Sequence, residues 1–338
     1  MSCLADPDHD LMPSPTVAMI FSGGLGLAAY HAGAYEACAR HLMPLHWVAG
    51  SSAGAVTAAL IAGSSGDQRI ARLREFWNWP PPRNGRPAAW RHLHGWIGAI
   101  STRLVGSYGH FYPRLPSIDP FRFRSLYDLR PMRDRLKALV DFGRLNSGEM
   151  RVTVVATDIE TGEPVVFDSS RTPIEIDHLL ASCGFLPEFA PVELNGRYLG
   201  DGGLSLNAPF DPILDGNMED HLQLYVLDLY ARDGDRPTSL EAALERKNDL
   251  LFGNQTYLRL KYCAELRKAR RELRGDGSEP RDRITLLSYR PGAEEPGPEK
   301  SFELSRAALA QRWNAGLLDM EHAIGLNSTD ELIVVRRT

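Results

Sequence analysis

Cysteine is scarce in this sequence: Cys3, Cys38, Cys183 and Cys263 are the four in 338 residues. They are widely spaced and form no CxxC pair, which speaks against a zinc site and a disulfide framework and fits a reducing compartment. Long apolar runs are missing too. The longest, around Ala53 to Ala62, is roughly half of the ~20 residues a membrane-spanning helix requires. Neither sign of charge dominates, since 38 Lys+Arg stand against 43 Asp+Glu for a net charge of −5. Net charge therefore supplies no general attraction to nucleic acid or to an anionic membrane, and no nucleic-acid partner is expected. The first fifteen residues, MSCLADPDHDLMPSP, lack the basic start and apolar core of a signal peptide and read as a loose tail. The expected location is cytoplasmic, with membrane contact at most peripheral and local. At 43% hydrophobic and 24% charged residues, the chain can bury a substantial core without staples.

What is present is a strand-turn-helix rhythm. Thr16 to Phe21 is an apolar run that meets Ser22-Gly23-Gly24, and Leu27 to Arg40 is predicted as a helix whose Ala28, Ala29, Ala32 and Gly33 allow close packing on a sheet. A second unit follows: His46 to Ala49 as strand, Gly50-Ser51-Ser52-Ala53-Gly54 as turn, then an apolar helix to about Ala62. Two such units in succession predict βαβα and a parallel sheet. The proline- and aromatic-rich stretch over 77–117 interrupts the rhythm and reads as an insertion or cap, with the packing of an irregular cap preferred over an acyl-pocket wall or lid. Asp119 to Val140 is predicted helical, Met150 to Ala156 a strand, and Val165 to Phe167 its hairpin partner across Thr161-Gly162. Asn195-Gly196 marks a tight hairpin whose outgoing strand ends at Gly200-Asp201-Gly202-Gly203. Strands are expected at Leu222 to Tyr230, Ile284 to Tyr289 and Leu332 to Val335, and helices at Ser239 to Leu273 and Ser301 to Ile324. Loops are expected at 275–280 and 291–298. The organisation expected is a tail at 1–15, a catalytic domain over 16–230 and an extension over 231–338 packed on the same domain.

Gly50-Ser51-Ser52-Ala53-Gly54 fits G-x-S-x-G, in which a serine sits on a sharp strand-to-helix turn and the flanking glycines permit close backbone approach. A serine hydroxyl needs a base to take its proton. Chain order in Ser-His-Asp hydrolases nominates His221 or His322, whereas Asp201, at a strand end between glycines, offers a direct carboxylate base. Ser22-Gly23-Gly24-Leu25-Gly26 opens a helix and aims backbone N–H groups at one point, suited to an anion. Gly24-Leu25-Gly26-Leu27-Ala28-Ala29 also satisfies the dinucleotide pattern G-x-G-x-x-A, but the second strand leads into the serine turn instead of the acidic residue that pattern requires. The anion expected there is the oxyanion of acyl transfer.

Together SGGLGLAAYHAG, the GSSAG turn, and the segments from Ala181-Ser182-Cys183-Gly184 to GRYLGDGGLSLNAP resemble the patatin-like phospholipases, over about residues 16 to 210. The resemblance implies a three-layer α/β/α fold with a mostly parallel central sheet, and a lipid acyl hydrolase using a Ser-Asp dyad without histidine. It assigns Ser52 as nucleophile, Asp201 as base, and the backbone of Gly23, Gly24, Leu25 and Gly26 as oxyanion hole. It implies a lipid or ester substrate and neither metal nor organic cofactor. The family loop usually reads G-G-G-x-R-G, where this chain has Leu25, Leu27 and Ala28 at the third, fifth and sixth places. A leucine at a position needing positive φ would be strained. The alternatives are a Ser-His-Asp esterase and a catalytically silent lipid-binding module. The C-terminal SFELSRAALAQRWNAG is similar to an extension in some bacterial members.

From Arg246 to Arg274 the sequence carries nine Lys/Arg and three Asp/Glu. Leu251, Leu258, Tyr262, Leu266, Ala269 and Leu273 recur at helical spacing as one apolar stripe. The preferred reading is a helix with that stripe in the core and its cations in solvent; docking on anionic lipid is the second.

Overall fold

The computed structural model describes residues 15–77, 101–107, 109–114, 124–216, 221–275, 282–290, 300–326 and 330–335. The expected tail, most of the expected insertion and most of the expected loops at 275–280 and 291–298 lie outside them. The strands are β1 (Thr16–Phe21), β2 (Trp47–Ser51), β3 (Tyr112–Pro113), β4 (Tyr127–Asp128), β5 (Arg151–Asp158), β6 (Pro164–Asp168), β7 (Val192–Leu194), β8 (Arg197–Asp201), β9 (Leu222–Asp228), β10 (Arg283–Ser288) and β11 (Leu332–Val335). The helices are α1 (Ala29–Arg40), α2 (Ala53–Ala62), α3 (Arg69–Phe76), α4 (Arg130–Leu139), α5 (Phe142–Leu145), α6 (Ile176–Ser182), α7 (Asp211–Gly216), α8 (Leu240–Arg274) and α9 (Arg306–Gly325).

Among the described residues, nine strands make one sheet in the order β11-β10-β9-β1-β2-β5-β8-β7, with β6 on β5. The run from β11 to β5 is parallel throughout, and β6, β7 and β8 add antiparallel pairs at one side. β1 is central because it is apolar on both faces. Its Val17, Met19 and Phe21 meet a core shared with α1, α2 and α9, while Ala18 and Ile20 meet one shared with α7 and α8. The result is a three-layer α/β/α architecture. No helix among the described residues is long and apolar enough to cross a membrane.

Several expectations shift. The chain enters α1 through a 3₁₀ turn over Leu25–Ala28. The small residues of α1 serve a helix as much as the sheet: a Cβ on Gly33 would lie 1.8 Å from the Trp313 carbonyl oxygen, and one on Gly316 would lie 1.9 Å from that of Tyr30. The helix expected from Asp119 starts instead at Arg130, with Pro131 in its first turn, where its missing N–H leaves no gap. Residues 124–129 are non-helical and include β4. The helix expected from Ser301 divides. Lys300–Phe302 forms a 3₁₀ turn, and α9 starts after Ser305, whose hydroxyl accepts the Ala308 N–H at 3.3 Å. α8 begins at Ser239, which accepts the Ala242 N–H at 3.1 Å, and ends on Gly275 at φ 75. Helices α3, α5, α6 and α7, all short, are not among the expected elements.

The stripe on α8 is turned the opposite way from the preferred reading. Leu260 and Ala264 enter the core, whereas Leu251, Leu258, Tyr262, Leu266, Ala269 and Leu273 face solvent. Buried charge pairing fixes this rotation: Arg267 Nε and Arg271 Nη1 donate to Asp282 Oδ2 at 2.9 and 2.7 Å, and Arg271 also reaches Glu331 at 2.6 Å.

His31 of α1 is fully buried with its ring 5.2 Å from that of Phe21, and burial pushes its pKa down to about 3. Below its ordinary value near 6.5 the unfolded chain takes up a proton that the folded chain refuses, so falling pH costs stability. Relative to wild type, His31→Leu is expected to gain about 1.4 kcal/mol per pH unit between roughly pH 6 and 4. Denaturant midpoints across that range check this, and a pH-independent difference would sink it.

Candidate active site

Two turns at the carboxyl ends of β1 and β2 converge with the end of β8. β2 delivers Ser52 into α2 with φ 55 and ψ −124, a conformation that costs a non-glycine residue about 1–3 kcal/mol. Two hydrogen bonds brace it. The Ser52 N–H donates to Ser182 Oγ at 2.9 Å, and that hydroxyl donates to the Val155 carbonyl at 2.5 Å. The flanking glycines are there for space, as the sequence predicted. A Cβ on Gly50 would lie 2.3 Å from the Gly54 carbonyl, and one on Gly54 would lie 2.0 Å from that of Phe21.

The Ser52 hydroxyl donates to Asp201 Oδ2 at 2.5 Å, while the Gly203 N–H donates to Oδ1 at 2.7 Å. Asp201 is only 2% exposed. Burial pushes its carboxyl up to about 7, outweighing the hydrogen bonds from Ser52 and Gly203, which act in the other direction.

Leu25 in the glycine loop takes φ 49, the left-handed conformation. Its side chain is held against a cluster formed by Phe111, Tyr127, Phe189 and Phe302. Gly24 caps the 3₁₀ turn that Leu25 and Gly26 open, so the amides there lack partners within the turn. Gly23 differs, because its N–H donates to Asn207 at both Oδ1, 3.0 Å, and the carbonyl, 3.2 Å. Since Oδ1 accepts that bond, the Asn207 amide nitrogen points elsewhere. Asn207 is 3% exposed and leaves Nδ2 buried with no partner among the described residues.

Ser52, Asp201, Gly23, Gly24, Leu25 and Gly26 all line one cavity of about 290 Å³. Its wall is mainly apolar and comes from two parts of the chain. Trp77, Phe111 and Phe189 come from the first 214 residues; Tyr230, Phe252, Phe302 and Leu304 come from beyond them. The Lys300–Phe302 turn is anchored by Lys300, which donates to Glu245 at 2.9 Å and Asp249 at 3.1 Å, and by Arg312, which donates to the Glu303 and Lys300 carbonyls at 2.8 Å. Among the described residues, no group of three His, Cys, Asp or Glu could hold a metal ion.

The two histidines nominated as bases are elsewhere. His221 precedes β9 at the amino end of the sheet, its carbonyl bonded to the Thr16 N–H, and His322 is exposed on α9. The cavity histidine is His110, which shares a 3.1 Å hydrogen bond with Ser107 and stacks on Trp77. Sequence reading gave no role to Ser182 or Asn207. The only signals were the Ala-Ser-Cys-Gly run and the Asn-Ala-Pro that follows the Asp-Gly-Gly turn.

No curated protein matches the chain. Among solved structures it is similar to VipD from Legionella pneumophila, at 15% identity and a TM-score of 0.41, covering 90% of this chain and 67% of that one. It is also similar to ExoU in its complex with SpcU from Pseudomonas aeruginosa, at 16% identity and a TM-score of 0.31, covering 92% and 52%. A third similarity is to human GIVD cytosolic phospholipase A2, at 12% identity and a TM-score of 0.35, covering 92% and 58%. This chain thus spans between about half and two thirds of those proteins. The model of one family, Patatin, described as patatin-like phospholipase, matches residues 19–214, more than half of the chain, and the chain belongs to that family.

Proposed function

We propose that this protein hydrolyses carboxylic esters of lipids through an acyl-enzyme on Ser52, with Asp201 as the base. The family is one of lipid hydrolases, and the observation that carries the finer reading is the 2.5 Å hydrogen bond from Ser52 to a buried carboxylate raised to about 7. A free aspartate is too acidic to be an effective base near neutrality, and burial supplies the correction. In this reading Asp201 takes the Ser52 proton as Oγ attacks the carbonyl carbon, and returns it to the leaving alcohol. It then takes a proton from the water that cleaves the acyl-enzyme.

The developing oxyanion is met by the amides of Gly24, Leu25 and Gly26 and by Asn207 Nδ2. Gly23 stands behind them, because its amide is already committed to Asn207. The positive φ of Leu25 gives the loop the shape a glycine would give it, and packing on the aromatic cluster holds it. The mostly apolar cavity suits an acyl chain.

Hydrolysis of p-nitrophenyl esters of graded chain length tests this. Turnover is expected, with kcat/KM rising as pH rises through about 7, because the free enzyme must lose the Asp201 proton before it can act. An acidic limb near 4 would remove the buried base. Inert wild type on all esters and on phospholipid vesicles would favour the silent lipid-binding module.

A further inference from the structure

The exposed stripe on α8 is out of keeping with the rest of the fold. The helix has 35 residues and so runs about 50 Å, and its most exposed apolar side chains are Leu273 at 88%, Leu240 at 79%, Tyr262 at 64% and Leu251 at 59%. With Leu258 and Leu266 they fall within one face, opposite the Leu260 and Ala264 that enter the core. A continuous apolar strip of this length on a surface marks a contact with something apolar.

We infer that this face of α8 docks on an anionic lipid surface and brings the cavity to the lipid. Two observations select that occupant over a second copy of the chain. One is charge. Lys247, Lys261 and Lys268 are exposed along one border of the stripe, interleaved with Glu265, which pairs with Lys261 at 3.8 Å, and with Glu272; Arg270 is exposed along the other border, so four cations stand against two acids on this side. Two copies joined stripe to stripe would bring these cationic borders together, whereas anionic headgroups neutralise them. The other is continuity. Asn248 and Phe252 of the same helix line the cavity that holds Ser52, immediately beside Leu251 of the stripe. A helix lying in the headgroup layer by this face sets the cavity against the lipid from which an acyl chain is drawn.

The docking rests on the proposed lipid substrate only for its purpose, so binding is measured apart from turnover. Protein carrying Ser52→Ala is floated with vesicles of phosphatidylcholine alone or with added phosphatidylglycerol. Flotation is expected with the anionic vesicles at an apparent affinity at least tenfold above that for neutral ones. Replacing Lys247, Lys261 and Lys268 together by glutamine is expected to cost about fivefold per cation, on the order of a hundredfold in all. Leu258→Glu with Leu266→Glu abolishes flotation, while the same pair in an otherwise wild-type chain leaves turnover of a soluble short-chain ester unchanged. Failure to float with anionic vesicles overturns the proposal, as does equal binding to neutral ones or full binding by the lysine variant. A wild-type dimer that the Leu258→Glu pair separates overturns it in favour of a second copy. If soluble-ester turnover is absent while flotation behaves as stated, the hydrolase reading fails and the docking stands.

Discussion

Asp201→Asn is expected to lower kcat on soluble esters by about 10⁴-fold, Ser52→Ala by at least as much, and the double variant no further than the worse single one. In the proposed mechanism the two side chains act as one unit through a single hydrogen bond, so removing either removes the step. Asparagine preserves the shape of the site and an acceptor for the Gly203 N–H, which separates loss of the base from loss of the fold. Stability sharpens the test. The folded-state pKa of Asp201, about 7, lies above the ordinary aspartate value. Ionising the buried carboxylate therefore weakens the folded state progressively as pH climbs from about 4 to 7, by on the order of 4 kcal/mol once complete. At pH 8 the asparagine variant should thus be inactive and more stable than wild type. Retained activity, or destabilisation at pH 8 with none at pH 4, would refute the assignment.

Asn207→Leu is expected to lower kcat by about 10²–10³-fold with little change in KM, the signature of a donor that meets charge developing only in the transition state. Leucine matches the volume but removes both the donor and the acceptor that seats Gly23. Asn207→Asp tells the two apart. It keeps an oxygen for the Gly23 N–H, so the loop stays seated, yet it replaces the buried Nδ2 donor by a carboxylate oxygen. A drop in kcat at least as large as that of the leucine variant supports the donor role. Wild-type kcat in the aspartate variant would reduce Asn207 to a support for Gly23.

Much of this site was legible because each part needs a local backbone shape that few residues permit. Gly50 and Gly54 around Ser52, and the glycines beside Asp201, advertise close approach and sharp turns, and both turns fall where the pattern put them. Ser182 and Asn207 were opaque because their roles come from partners 130 and 184 residues away in the chain. Nothing adjacent to either serine or asparagine encodes such a partner. The loop leucine was visible as a departure but not as a solution, since the aromatic cluster that holds it is assembled from four separate segments. The rotation of α8 shows the limit of periodicity most clearly. A stripe reveals that a helix has two faces, while the inward one was chosen by Arg267 and Arg271 bonding Asp282 across the chain.

The cavity wall has two origins, and this divides labour within the molecule. The groups proposed to react stand on turns of the first 214 residues, where Ser52 and Leu25 take positive φ and glycines allow close contacts. Phe252, Phe302 and Leu304 stand on later segments, fastened by Lys300 and Arg312 through contacts that do not touch Ser52. In the proposed reading a change of girth at Phe252, outside the aromatic cluster that holds Leu25, would alter which acyl chains fit and leave the nucleophile unaware of it, whereas one at Phe302 would also loosen Leu25. On the proposed mechanism, an engineer seeking a new preference would begin with the part of the chain that does none of the bond breaking.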